Sequence, residues 1–290
     1  MAGHKELDTV TGAETTGHVW DGDIKELNKP LPRWWLYVFY ACIVWAIGYW
    51  ILYPAWPLVD GYSKGVLGYS QRVSVANDIA AAKESQAHFI EAIAAKSAAE
   101  IEKDADLMEF VLRGGAAQFG NSCAPCHGKG AQGFKGYPNL NDDDWLWGGT
   151  LEEIETTIRH GIRADHPETR DSAMPRFGAD QILTNVQISD TAEFVLSLSG
   201  AAGDAAAAER GKEIFAEQCA ACHGEEGKGT PEMGAPNLTD AIWLYGGSKA
   251  DVEETIRNSR SGVMPAWEGK LDPVTIKMLA IYVHALGGGK

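Results

Sequence analysis

Apolar and polar positions divide this 290-residue chain into three stretches of different character. From Trp34 to Tyr53 the sequence WWLYVFYACIVWAIGYWILY carries no charge and no polar face. Twenty helical residues reach about 30 Å, the thickness of a bilayer's hydrocarbon core. Trp34, Trp35, Tyr49, Trp50, Tyr53 and Trp56 crowd its ends, as aromatic side chains do at a membrane interface. A buried helix of a globular protein would keep a polar face over this length. A cleaved leader would have a shorter apolar core followed by a small-residue site. The stretch therefore predicts a transmembrane helix.

The second stretch, residues 74–113, is rich in Ala, Glu and Lys. Ile79, Phe89, Ile90, Ile93 and Ile101 recur in it at mostly helical spacing. It predicts one or two helices forming a stem, with His88 on a solvent face.

The third stretch repeats itself. Gly115, Phe119, Cys123, Cys126, His127 and Gly128 stand in register with Gly211, Phe215, Cys219, Cys222, His223 and Gly224. PNLNDDDWLWGG from Pro138 matches PNLTDAIWLYGG from Pro236, and EIETTIR from Glu153 matches DVEETIR from Asp251. Each copy reaches a Met-Pro, at Met174 and Met264, and ends in an apolar helix, with Phe194, Val195 and Leu198 opposite Tyr282, Val283 and Leu286. The first copy is longer before its methionine, around His160 to Arg170. Two copies are too few for a solenoid, so they predict tandem globular domains. The expected order is an N-terminal segment over 1–33, the span over 34–54, the stem over 55–113, domains over 114–200 and 209–290, and a small-residue linker over 201–208.

Composition narrows the chemistry. The net charge of −15 disfavours nucleic acid, whose phosphates need a basic surface, and suits a basic protein partner. Four of the five cysteines lie in two Cys-x-x-Cys-His pentapeptides; this composition would yield about 0.002 copies by chance. Cys42 lies mid-span and is expected to pack. In the pentapeptide two thiols can form thioethers with the vinyl groups of haem while the adjacent histidine meets the iron from one face. Zinc would need further ligands at short spacing, and neither copy has another cysteine. Dithiol redox chemistry would need a strand-helix context. The expectation is two covalently bound haem c groups, held by Cys123 and Cys126 and by Cys219 and Cys222, with His127 and His223 on the metal.

The sixth ligand should lie late in each copy. Met174 and Met264 recur at matching places, and His/Met ligation suits electron transfer over gas binding. Whether each methionine serves its own copy or the other stays open. Met233 is a rival to Met264; His160 and His166, rivals in the first copy, read as exposed loop residues. A ligating histidine needs an acceptor for its second ring nitrogen. Trp145 and Trp243 are expected near the haem edge or in the core. Gly115 facing Phe194, and Gly211 facing Tyr282, would let first and last helices cross closely.

These motifs together resemble a known family. Each copy resembles class I cytochrome c, and the whole chain is similar to the dihaem subunit III of cbb3-type cytochrome c oxidase. HVWDGDIKELNKPLPRWW ahead of a single span and the two Pro-Asn-Leu segments carry the likeness most specifically. Likeness to the class I cytochrome c fold implies that the carbonyls of Pro138 and Pro236 accept from the ligating histidines. The resemblance implies an all-α fold, one N-terminal transmembrane helix followed by two tandem class I cytochrome c domains. It implies a non-catalytic electron-transfer subunit. Electrons would come from a soluble or membrane cytochrome c donor and pass to a monohaem c subunit and a haem-copper catalytic subunit. Some relatives carry two spans where this chain has one. Lys25, Lys29 and Arg33 precede the span and only Lys64 follows closely, which places the N-terminus in the cytoplasm. Haem c is attached outside the bacterial cytoplasm. Both arguments put the repeats in the periplasm, anchored to the inner membrane's lipid bilayer.

Overall fold

The computed structural model describes residues 6–287. Packing divides the chain into two units, with the boundary after Ser85, and each is described by itself.

In the first unit, strands β1 (Thr15–Trp20) and β2 (Ile24–Leu27) form an antiparallel hairpin. The turn places Asp21 and Gly22 at positive φ, the conformation that an Asp-Gly pair accepts most readily. This hairpin, and the short one between β3 (Pro57–Leu58) and β4 (Gly61–Tyr62), depart from an all-α expectation. The Asp-Gly signal was in the sequence. Helix α1 (Arg33–Leu52) has no buried residue, and it is long and apolar enough to cross a membrane. Its last carbonyls are satisfied from downstream: Val66 N donates to Ile51 O at 2.9 Å and Leu67 N to Leu52 O at 3.1 Å. Gly65 makes that approach possible, since a Cβ there would lie 2.4 Å from Leu52 O.

Helix α2 (Gln71–Ala95) contributes Ile93, near its C-terminal end, to the second unit. Ser97 caps α3 (Ala98–Ile101) through a reciprocal bond pair with Glu100. Then follow α4 (Ala105–Ser122), the single turn α5 (Ala124–His127) and α6 (Leu151–His160). The first copy closes with α7 (Asn185–Leu198). The second repeats the order with α8 (Ala205–Gln218), α9 (Ala220–His223), α10 (Lys249–Asn258) and α11 (Pro273–His284). Helix α4 already begins inside the expected stem. Ile93 and Ile101 join Leu107, Val111, Leu151, Met278 and Ile281 in one buried cluster, so the end of the stem is part of the core.

The packing groups do not follow the repeat boundary. Helix α7 lies against α8 and α10, whereas α11 lies against α4 and α6. One core joins Ile188, Ala192, Val195 and Leu196 of α7 to Phe215, Leu238, Val252 and Ile256 of the second copy. The other joins Ile276, Leu279, Ala280 and Val283 of α11 to Phe119, Ile154 and Ile158 of the first. The two copies have exchanged their terminal helices. The expected glycine pairs are corrected accordingly. A Cβ on Gly115 would lie 2.5 Å from Tyr282 Cβ, and one on Gly211 would lie 2.0 Å from Asp190 O. The aromatic partners are Phe119 with Tyr282, centroids 5.5 Å apart, and Phe194 with Phe215, 5.1 Å apart.

Charged groups secure the exchange. Arg210 on α8 forks onto buried Asp190 of α7, with Nε to Oδ2 at 2.8 Å and Nη2 to Oδ1 at 2.6 Å. Buried Glu193 accepts from the Gly203 and Asp204 amides and pairs with Lys249 Nζ at 2.7 Å. On α11, Lys277 Nζ donates to the carbonyls of Ile93 and Lys96.

Candidate functional site

Both Cys-x-x-Cys-His segments adopt one conformation. The last residue of the preceding helix leads into a single turn that places the histidine at its end, followed by Gly128 or Gly224 at positive φ. His127 Nδ1 lies 3.0 Å from Pro138 O, and His223 Nδ1 lies 3.1 Å from Pro236 O. With the carbonyl as acceptor, Nδ1 carries the hydrogen and Nε2 presents its lone pair on the other side of the ring. Burial lowers both histidines' pKa, more than the proline carbonyls restore it, so each imidazole is held neutral. The local backbone reinforces the frame: Gly133 N donates to His127 O and Gly229 N to His223 O, each at 2.8 Å.

One thiol of each pair is disfavoured as a thiolate. Burial, with a smaller contribution from the neighbouring cysteine, pushes Cys123 and Cys219 up to about 11. A redox or zinc-binding pair needs thiolates, and hence the opposite shift. The second cysteine of each pair is the more accessible, Cys126 exposed and Cys222 half-buried.

The methionines settle across the repeats. Met174 packs on the core containing Phe215 and Cys219, and it lines one cavity together with Cys219, Cys222 and His223. That cavity measures about 220 Å³. A water's share is only about 30 Å³, so this is no packing defect. Met264 packs on the other core, against which Cys123 and Ala124 also pack. Its backbone is paired with the first copy in both directions, Met264 N to Ile162 O at 3.0 Å and Ile162 N to Met264 O at 2.9 Å. Gly161, at positive φ, leaves room: a Cβ there would lie 2.4 Å from Met264 O. The two crossings mirror one another, since Glu268 N donates to Arg159 O just as Gly178 N donates to Arg257 O. Of the two open assignments, the structure brings together Met174 with His223 and Met264 with the Cys123 segment.

The rivals go elsewhere. Met233, in a short 3₁₀ turn (Pro231–Met233), lines the same cavity as Met174 but is 40% exposed. His160 and His166 are not exposed loop residues. Their rings stack at 4.8 Å, with side chains 14% and 17% exposed, and they face Glu168 and Glu268 respectively. The Glu168 amide donates to His166 Nδ1, leaving Nε2 as the donor to Glu268. Trp145 packs on the core that holds Phe119, and Trp243 on the core that holds Phe215. Cys42 is exposed on α1.

Sequence reasoning passed over several site residues. Arg170 and Arg260 each stand four positions before a methionine. Arg170 lies over the Trp147 ring and donates to Glu153 O; Arg260 lies over Tyr245 and donates to Asp251 O. Aligning the copies backwards from the methionines would have found this pair. Arg170 Nε is buried without a partner. Asp144 lines the cavity, and burial together with Asp240 and Asp142 pushes it up to about 6.

Comparison with known proteins identifies the family. Residues 12–60 match the family described as the N-terminal domain of cytochrome oxidase-cbb3, FixP. Residues 111–195 and 206–283 match the family described as cytochrome c oxidase, cbb3-type, subunit III. The chain belongs to this family. A cbb3-type cytochrome c oxidase subunit FixP from Bradyrhizobium sp. (strain ORS 278) is 56% identical, the alignment covering 100% of both chains. The subunit CcoP of Azospirillum brasilense is 54% identical over 99% of each chain, and that of Cereibacter sphaeroides is 53% identical over 95% of each. Membership implies covalently bound haem c, electron transport in a respiratory oxidase and other oxidase subunits as partners. An apolar, unburied N-terminal helix fits a membrane subunit.

The residues present fit the group. Each copy offers two cysteine sulfurs one turn apart and an imidazole fixed by a carbonyl, the core beside each holds a methionine thioether from the other copy, and the orphaned Arg170 Nε suits an anionic substituent.

Proposed function

We propose that the chain is a membrane-anchored dihaem cytochrome c. It takes electrons from a donor cytochrome c and passes them toward the haem-copper core of a cbb3-type oxidase, through a monohaem c subunit. The observation that carries this reading is the duplicated Cys-x-x-Cys-His turn, each histidine pinned to a proline carbonyl and each core holding one methionine. Haem c, when bound, would supply one-electron transfer.

The chain's residues supply the rest. Cys123, Cys126, His127 and Met264 would hold the first haem, and Cys219, Cys222, His223 and Met174 would hold the second. Pro138 and Pro236 fix the imidazole rings. The buried cores exclude water, which limits the rearrangement accompanying each change of charge. A histidine and a methionine offered to each haem would suit electron relay, and oxygen reduction would then belong to a partner subunit. Helix α1 anchors the chain in the bacterial inner membrane with the N-terminus cytoplasmic and both haems periplasmic, as the cation bias around the span supports.

Purification from membranes tests this reading. Unfolded chain should weigh two haems more than its amino acids, and a haem-copper subunit should travel with it. Polypeptide mass alone, from cells able to attach haem c, would overturn the reading.

A further inference from the structure

The eight residues Ile162–Thr169 have no counterpart in the second copy. Arg159, His160 and Gly161 align with Arg257, Asn258 and Ser259, and Arg170 aligns with Arg260. Gly161 and Ser259 share a positive φ, which supports this register. Arg170 and Arg260 are therefore equivalent cations, one in each copy.

Arg163, inside the insertion, is unmatched, and it does not stay with its own copy. It lines the cavity of Met174 and His223. Its Nη1 donates to Ser172 O at 2.7 Å and its Nε to Gly262 O at 2.8 Å. Those carbonyls belong to the two crossing strands, each two residues before a methionine. Both bonds are to backbone, and neither engages Nη2. Burial lowers its pKa although Asp171 and Tyr245 lie near enough to favour the charge. A part-buried guanidinium bonded only to carbonyls lacks a desolvated counter-ion, and burying such a charge is costly unless it is paired.

Haem c carries two propionates, and a guanidinium fork matches a carboxylate. We propose that Arg163 is a counter-ion for a propionate of the haem held by Cys219, Cys222 and His223, so that the first copy's insertion tunes the second copy's haem. This rests on the dihaem reading and goes beyond it, because it makes the two sites electrostatically unequal. An extra cation beside one iron favours its reduced form over the oxidised form, which carries one more positive charge. Arg170 and Arg260, being matched, do not separate the sites. Asp144 and Arg260 line the same cavity and are unchanged by substitutions at Arg163.

The test is potentiometric titration of the purified full-length chain carrying both haems, comparing the native chain with Arg163→Gln and Arg163→Lys. The Cys123→Ala/Cys126→Ala background assigns the second haem. Arg163→Gln should shift the reduction equilibrium of the second haem about tenfold toward the oxidised form, about 59 mV for a one-electron couple, and leave the first in place. Arg163→Lys keeps the charge and loses the fork, and should hold the second haem near its native potential. Equal shifts in both haems, no shift in either, or Lys falling as far as Gln would overturn the proposal. If Arg163→Gln fails to fold, Arg163→Met takes its place: a lowered second potential with the first unmoved supports the proposal, and an unmoved second potential refutes it. A native chain lacking haem altogether sinks the dihaem reading instead, and the mass of the unfolded protein reports that separately.

Discussion

At Gly211 an added Cβ would lie 2.0 Å from the Asp190 carbonyl, against backbone that cannot swing aside. Gly211→Ala should therefore cost about 1–3 kcal/mol in denaturant unfolding. Gly120→Ala, with nothing within 4 Å, should cost nothing by crowding. Equal stability of the two variants would contradict the close crossing of α7 and α8. Asp144 offers a second residue-scale test. Its carboxyl is pushed up to about 6 by burial and by Asp240 and Asp142. Its protonated form removes a negative charge beside the second site and favours the reduced state; its ionised form favours the oxidised state. The second haem's potential should fall as pH rises through about 6, and Asp144→Asn should flatten that step. By linkage the same coupling makes the carboxyl more acidic when the site is oxidised.

Among the elements, the exchange of α7 and α11 sets which substitutions damage which site. Ile276 on α11 is 1% exposed and packs with Phe119, Ile154 and Ile158, so Ile276→Ala should destabilise the core around the first haem. Ile188 on α7 is fully buried in the core of the second copy. Ile188→Ala should disturb the second haem's spectrum although the residue lies in the first repeat. Each should cost about 2–5 kcal/mol in unfolding. Disturbance confined to the haem of the same repeat would speak against the exchange. Much of this fold was legible in the sequence. The span, the helix order, the cysteines and the histidines could be read from composition, period and spacing, and the proline acceptors from the family likeness. The exchange was harder to read, because both copies offer the same terminal helix to either partner and the repeat alone cannot choose. The signal that favours it is the short connection from Leu198 to Ala205, which makes α7 and α8 natural antiparallel neighbours. Arg163 was not legible at all, since an insertion without a counterpart gives a repeat comparison nothing to align.

For the whole molecule, the charge of −15 and the interleaved cores work together. An acidic surface attracts a basic donor over a distance set by salt, so donor-driven oxygen uptake by the assembled oxidase should fall as ionic strength rises. Salt-independent turnover would remove electrostatic docking from the account. The interleaving ties the two haem sites into one folding unit, because each core contains a helix and a methionine from the other repeat. The most direct test of that claim uses a chain in which Cys219→Ala/Cys222→Ala leaves only the first haem attached. The ferric methionine-to-iron charge-transfer band of that single haem should survive Met174→Leu and vanish with Met264→Leu. Loss of the band with Met174→Leu and its survival with Met264→Leu would show that each repeat closes on its own methionine, and the exchanged architecture would be wrong.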